Sequence, residues 1–353
     1  MRPRIAIVGT GAVGGYAGAH MAQAGEDVVF IDFWPANVEA MRANGLRVAH
    51  LRDVPEFVVQ VSALHVTDVQ SLARQRPIDI AFVCVKSYDT SWAAAMIAPY
   101  LAPSGFVVSL QNCMNEATVA SVVGWGRTLG AIASSITVEL CEAGHVRRAA
   151  GKSGNQHTVF RVGEVHGRIT DRAREVCRLV ALSDSAEVTT NLWGERWSKL
   201  VTNVMGNGLS ACTGLRSKEI VADDTLRHFS SRLGSEAIRV GQALGYELEE
   251  ILHLPPETIA RAGEGDPAAT RRVDEHRLAE TARGGGEHRP SMGQDMVKGR
   301  RTEIDFLNGF VARKGAELGL PTPANAALTE IVTRVECGEL APDRRHIVDL
   351  RLN

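Results

Sequence analysis

The sequence predicts an α/β protein: an N-terminal doubly wound parallel sheet over residues 1–188, then a second, mainly α-helical domain over residues 189–353. Three observations predict it. Short β-branched runs alternate with helical stretches of about 10–15 residues through the first half, as strands joined by helical crossovers do. A glycine cluster stands between the first such run and the first helix, at the start of the chain. After about Thr189 the strand pattern stops and helical periodicity takes over.

Ile5–Val8 reads as a buried parallel strand. YAGAHMAQAG follows the glycines as a helix closed by Gly25, and DVVFID (Asp27–Asp32) as a second strand. WPANVEAMRANG reads as a helix stopped at Gly45. IDIAFVCVK (Ile78–Lys86) and GFVVSLQN (Gly105–Asn112) are further strands, with the helical TSWAAAMIAPYL between them. GHVRRAAG and HTVFRVGEV read as added β-structure. In the second half, Asn191–Cys212, Asp224–Gly245, Thr302–Leu318 and Pro323–Glu336 carry helical spacing. The polar stretch Pro255–Pro290, with the triplet Gly284–Gly286, reads as a solvated loop. The alternative is a lid, because it leads directly into the SMGQD segment.

Composition narrows the function. A net charge of −2 over 353 residues gives no electrostatic footprint for nucleic acid or an anionic membrane. No apolar run approaches the ~18 residues of a membrane span, and the N-terminus reads as a strand rather than a signal peptide. A cytoplasmic location is expected. The cysteines at 84, 113, 141, 177, 212 and 337 form no C-x-x-C pair, and the histidines show no ligand spacing; reduced thiols and no metal are expected.

GTGAVG (Gly9, Thr10, Gly11, Ala12, Val13, Gly14) lies between a strand and a helix, the context in which G-x-G-x-x-G binds a dinucleotide. Gly9 permits the tight turn, Gly11 lets the backbone approach a pyrophosphate, and Gly14 lets the helix pack on the strand. The helix N-terminus favours the phosphate charge. The N-terminal domain is therefore of Rossmann type. Asp32, 18 residues beyond Gly14, can accept from an adenosine ribose 2′-OH and would repel a 2′-phosphate, which favours NAD(H) over NADP(H). The plainer reading is an aspartate capping a strand end. Lys86 and Asn112 stand where buried strands run out, the edge at which open α/β sheets bind ligands. Lys86 suits a phosphate or carboxylate and Asn112 a ribose or the substrate; a surface lysine and a helix-capping asparagine are the alternatives.

Lys199, Asn203 and Asn207 recur at i, i+4 and i+8, on one face of an otherwise apolar helix. A solvent-facing stripe is the usual meaning of such spacing. The stripe is poor in charge for that role, and it begins where the first domain ends, so an interdomain cleft is the functional alternative. Ser291 and Glu303, in RPSMGQDMVKGRRTEIDFLNG, read by themselves equally as helix-terminal residues or as site residues.

Taken together, GTGAVG, CVKSYDT, LQN, the W-x-K-L-x-x-N-x-x-x-N helix and SMGQDMVKGRRTEIDFLNG resemble the ketopantoate reductases (2-dehydropantoate 2-reductases) over nearly the whole chain. The resemblance implies a helical C-terminal domain like that of 6-phosphogluconate dehydrogenase, a site between the domains, a homodimer, and reduction of 2-dehydropantoate to (R)-pantoate with NADPH. It implies Lys199 as proton donor, with Asn203, Asn207 and Asn112 contacting substrate. It also implies Ser291 near the substrate carboxylate, Glu303 near the cofactor and Lys199, and Lys86 as the lysine of the C-V-K segment. From these roles follows the expectation that Glu303 orients Lys199 and keeps it charged. Three features depart from the family pattern. Asp32 stands where NADPH-using members carry a basic residue, Cys113 where many carry glycine, and the Pro255–Pro290 region is longer. Similar proteins of this fold include NAD-dependent D-2-hydroxyacid dehydrogenases acting on bulkier 2-keto acids. A dinucleotide sensor without turnover is the non-enzymatic alternative.

Overall fold

The computed structural model describes residues 2–50, 54–134, 136–149, 151, 158–283, 286 and 289–351. It comprises two compact units, Met1–Leu192 and Trp193–Asn353; the sequence suggested a division at 188/189.

The first unit runs β1 (Arg4–Val8), α1 (Ala12–Gln23), β2 (Asp27–Asp32), α2 (Pro35–Asn44), β3 (Leu46–His50), β4 (Phe57–Val59), β5 (Ser62–His65), β6 (Ile78–Val83), α3 (Thr90–Ile97), β7 (Leu101–Ser109), α4 (Glu116–Val123), β8 (Thr128–Ala133), β9 (Val138–Glu142), β10 (His145–Arg148), β11 (Phe160–Glu164), α5 (Asp171–Ala181) and β12 (Ala186–Thr189). The main sheet has the order β12-β11-β8-β7-β6-β1-β2-β5. Neighbours are parallel except β11, which runs antiparallel to β8. The chain starts mid-sheet at β1, moves outward to β2 and β5, then crosses back to β6, β7 and β8. The reversal falls between β1 and β6, where Val8 pairs with Val83, and the glycine loop leaves β1 at that point. Ligands of doubly wound sheets bind at such a reversal.

Alternate residues of each strand enter different cores. Ile5, Ile7, Phe30 and Phe82 pack on one face of the sheet. Ala6, Val8, Ile31 and Val83 pack on the other. Burial on both faces explains why these strands read as continuous apolar runs. The two segments read as added β-structure separate. GHVRRAAG supplies β10 of a small sheet of order β4-β3-β10-β9, and HTVFRVGEV supplies β11 of the main sheet. The small sheet lies on α1, where a Cβ at Gly15 would come 3.0 Å from Val146.

The second unit is helical: α6 (Leu192–Val204), α7 (Asn207–Thr213), α8 (Ser217–Ala222), α9 (Asp224–Ala243), α10 (Pro256–Gly263), α11 (Pro267–Ala282), α12 (Ser291–Val297), α13 (Asn308–Leu318), α14 (Pro323–Glu336) and α15 (Arg345–Val348). Trp197, Leu200, Val201, Val204 and Met205 are buried. α9 receives Trp197 and Met205 on small residues. A Cβ at Gly234 would meet Met205 Sδ at 2.8 Å, one at Gly241 would strike the Trp197 indole, and the Ala237 carbonyl accepts from Trp197 Nε1 at 2.9 Å.

Three expectations are corrected here. Asn191–Cys212 is not one helix: the chain breaks at Met205–Gly206, and Asn207 opens α7. Pro255–Pro290 is not a solvated loop, because α10 and α11 fill most of it. Proline begins each helix, where its missing N–H costs nothing, and Asp266 caps α11 by accepting from Ala268 and Ala269 at 2.9 Å each. Ile259, Ala260, Ala269 and Val273 are buried, an apolar face diluted by the polar residues around it. Of the glycine triplet, Gly284 and Gly285 lie outside the described residues, and Gly286 has φ +78°. Thr302–Leu318 likewise divides into a short turn at Ile304–Phe306 and α13.

Candidate active site

The glycine loop follows β1 because Gly9 has φ +94°, a conformation that side chains other than glycine rarely adopt. A Cβ at Gly9 would also meet the Val85 backbone at 2.8 Å. At Gly14 a Cβ would press on Cys84 Cβ at 2.7 Å and strike the Gly9 carbonyl. Gly11 is different: a Cβ there would have nothing within 4 Å. Two glycines are therefore required by the protein's own packing, while the third keeps open the approach to the first turn of α1. Ala12 and Val13 occupy that turn with Gly14, and N–H groups of a first turn have no intrahelical partner. This cradle fits a dinucleotide pyrophosphate.

Asp32 ends β2 beside the loop and is 6% exposed. Its Oδ2 accepts from Thr10 N at 2.8 Å, from the Thr10 hydroxyl, and from Asn37 Nδ2 at 3.2 Å. Its Oδ1 accepts from Trp34 N at 2.9 Å. The carboxylate thus does structural work, as the strand-end reading expects. Oδ1 nevertheless holds one donor against three on Oδ2, which leaves it the oxygen able to accept another.

At the ends of β6 and β7 the expected residues sit on a frame that spacing did not single out. Gln111 Nε2 donates to the Val85 carbonyl and to Thr90 Oγ1, both at 2.8 Å. Asn115 Nδ2 donates to Ser87 Oγ at 3.1 Å and to the Asn112 carbonyl at 2.8 Å. Lys86 and Asn112 are each partly exposed at the strand exits. Cys113, buried, has φ +67°, which explains why glycine is common after L-Q-N in the resembling family.

In the second unit Lys199, Asn203 and Asn207 are partly or wholly buried, at variance with a solvent stripe. Among the described residues the Lys199 ammonium makes no ion pair or hydrogen bond, and burial alone pushes its pKa below the ordinary lysine value. Asn203 Nδ2 is buried with no partner among the described residues. Asn207 Nδ2 meets Ser291 Oγ at 3.5 Å. Buried donors are nearly always satisfied in folded proteins, so Asn203 Nδ2, four residues from the half-buried Lys199 ammonium, fits a site that takes a ligand. Ser291 opens α12, which packs on α7 where a Cβ at Gly293 would strike Ser210 Oγ. Glu303, 6% exposed, stands just before the Ile304–Phe306 turn. It makes no bond to Lys199, and no carboxylate opposes the lysine's downward shift.

Sequence reasoning missed a buried network beneath this face. Asn308 Nδ2 donates to the Val204 carbonyl at 3.3 Å and to Asn325 Oδ1 at 3.0 Å. Asn325 Nδ2 in turn donates to Glu236 at 2.8 Å. The network ties the end of α6 to α9, α13 and α14. Carboxamides at core positions of otherwise apolar helical patterns were the available signal.

Two family profiles match the chain: Ketopantoate reductase PanE/ApbA over residues 5–160 and Ketopantoate reductase PanE/ApbA C terminal over 191–336. A 2-dehydropantoate 2-reductase of Archaeoglobus fulgidus is 30% identical, with 95% of this chain and 98% of the relative covered. The chain belongs to the ketopantoate reductase family. It is thereby a nicotinamide-dependent oxidoreductase. A crystal structure of a PanE/ApbA family ketopantoate reductase from Ralstonia eutropha JMP134 superposes with TM-score 0.76 at 30% identity, over 95% of this chain and 99% of the other. D-mandelate dehydrogenase with NADH and anilino(oxo)acetate shares the fold, with TM-score 0.77 at 23% identity over 95% and 99%. No helix among the described residues is long and apolar enough to cross a membrane. No group of three or more metal-ligating side chains occurs among them either.

Proposed function

We propose that the chain reduces the ketone of 2-dehydropantoate to (R)-pantoate, with NAD(H) as its preferred cofactor. The observation that carries the reading is the desolvated Lys199 ammonium and the buried Asn203 Nδ2 on one helix face, the latter without a partner among the described residues. A sensor that only binds dinucleotide has no use for a desolvated lysine there.

In this reading Gly9–Gly14 hold the pyrophosphate, Asp32 Oδ1 accepts from the adenosine ribose, and Lys86 and Asn112 line the strand exits. The reduced nicotinamide supplies the hydride. Asn203, Asn207 and Ser291 hold the keto acid through neutral donors, which fixes its orientation without adding charge. Lys199 hydrogen-bonds the ketone oxygen, stabilises the negative charge that develops there, and then gives up its proton. Its lowered pKa suits that transfer, because a donor works best when its pKa lies near the working pH. Glu303 enters through the family resemblance alone, as a group near the cofactor.

A panel tests the reading. NADH and NADPH are each offered with 2-dehydropantoate, phenylglyoxylate and branched 2-keto acids, and cofactor oxidation is followed. NADH with 2-dehydropantoate is expected to give the highest kcat/KM. A preference for another keto acid would transfer the assignment to a different 2-hydroxyacid dehydrogenase. Tight NAD(H) binding with no turnover of any keto acid would support the sensor.

A further inference from the structure

Asn37 lies on α2, five residues after Asp32, and is fully buried. Its neighbours in the core are the apolar Val38 and Met41 of the same helix, and a leucine would suit packing alone. The carboxamide is used at both ends instead. Nδ2 donates to Asp32 Oδ2 at 3.2 Å and to the Thr10 carbonyl at 3.2 Å, with Thr10 Oγ1 at 3.4 Å. Oδ1 accepts the backbone N–H of Gly144 at 2.8 Å. Gly144 lies in the turn joining β9 and β10 of the small sheet. One side chain therefore links the glycine loop, the carboxylate ending β2 and a hairpin more than 100 residues away.

Asp32 makes no ion pair among the described residues, so hydrogen bonds alone hold its charge. A carboxylate can turn about its last torsion unless its oxygens are held differently. Three donors crowd onto Oδ2, and Asn37 supplies the one that does not come from the glycine loop itself. Oδ1 is thereby turned to the side where, among the described residues, only Trp34 N reaches it.

We propose that Asn37 is a positioning residue for dinucleotide selection: it anchors Asp32 Oδ2 to the glycine loop and the β9–β10 turn, so that Oδ1 presents its charge to the adenosine ribose. The proposal rests on the reading that the ribose lies against Asp32. Loss of Asn37 frees the carboxylate to turn. A 2′-hydroxyl then loses a directed acceptor, and a 2′-phosphate meets a less localised negative charge. NADH binding suffers, and NADPH binding does not suffer equally.

The test titrates NADH and NADPH into the full chain by calorimetry, for the wild type, Asn37→Ala, Asp32→Ala and the double variant, with a thermal melt of each. Asn37→Ser is carried as a second variant, since it leaves room for water and a polar atom in the vacated space. Loss of one hydrogen bond to a charged group corresponds to about a tenfold change or more in Kd. The expected result is that rise for NADH, a change under about threefold for NADPH, and no further effect of Asn37→Ala once Asp32 is alanine. Equal weakening of both cofactors by both Asn37 variants, persisting in the Asp32→Ala background, assigns Asn37 to folding alone and overturns the proposal. A wild type that binds NADPH more tightly, or an Asp32→Ala variant with unchanged selectivity, overturns the Asp32 reading and the proposal together. An Asp32-dependent NADH preference that survives both Asn37 variants overturns the proposal only.

Discussion

Thr10 N lies 2.8 Å from Asp32 Oδ2, and the Thr10 hydroxyl donates to the same oxygen. The residue proposed to read the ribose therefore also closes the glycine loop. Asp32→Ala removes the acceptor of a buried backbone N–H, and an unsatisfied donor of that kind costs about 1–3 kcal/mol. The expected outcome is a lower melting temperature without cofactor, together with weaker NADH binding. An unchanged melt with weaker binding would show that the Thr10 contact contributes nothing to stability.

The glycines of the loop separate packing from binding. Gly14→Ala drives a Cβ against Cys84 and the Gly9 carbonyl, so α1 must shift. Gly11→Ala meets no protein atom within 4 Å. We expect Gly14→Ala to lower both stability and dinucleotide affinity. Gly11→Ala, at the N-cap of α1, is expected to cost no more than about 1 kcal/mol of unfolding free energy while losing cofactor binding. Intact NADH binding in Gly11→Ala would remove the pyrophosphate from this cradle.

Asn203 Nδ2 is buried and bonded to nothing among the described residues. A donor already unsatisfied in the folded protein contributes no hydrogen bond that truncation could remove. Asn203→Ala should therefore melt at or above the wild-type temperature while kcat/KM for the keto acid falls at least about tenfold, one lost hydrogen bond in the bound state. A large loss of stability with normal turnover would make this residue structural.

The first unit was legible because its signals are local. Strand runs, glycine spacing and the acid at the end of β2 each depend on a few adjacent residues, and the strands from Asp27 and Ile78 begin where the pattern puts them. What stayed hidden depends on partners distant in sequence. Nothing around Asn37 reveals Gly144, and nothing around Asn308 reveals Asn325 or Val204. The break before Asn207 was hidden for another reason: one apolar pattern runs through Met205 and Leu209, both buried, although the backbone between them leaves the helix at Gly206. In α10 and α11, helices with few buried positions were masked by the charges along α11 and by the glycines at the helix ends.

Cys113 carries a side chain where φ is +67°. That conformation costs an L-residue about 1–2 kcal/mol, and β-branched residues tolerate it least. Cys113→Gly removes the strain while giving up a small buried side chain, so its unfolding free energy should stay within about 1 kcal/mol of wild type. Cys113→Val should lose about 2 kcal/mol or more. Denaturant unfolding of the pair decides the matter, and equal stability of the two variants would contradict the backbone argument.

Lys199 gives the pH dependence its sign. A proton donor must be protonated to act, so turnover falls as pH rises through its pKa. Burial lowers that pKa. The alkaline limb of the kcat profile should therefore lie below the ordinary lysine value of about 10.4. Lys199→Arg keeps a charge at every accessible pH but holds its proton, so it should lose the limb and most of the rate together. Lys199→Ala should lose about 10²–10⁴ in kcat, the usual range for a positioned acid, and should show no limb from this group. Since the ammonium has no partner among the described residues, neither substitution should lower the melting temperature appreciably. An alkaline limb that persists unchanged in Lys199→Arg would assign the proton transfer to another group.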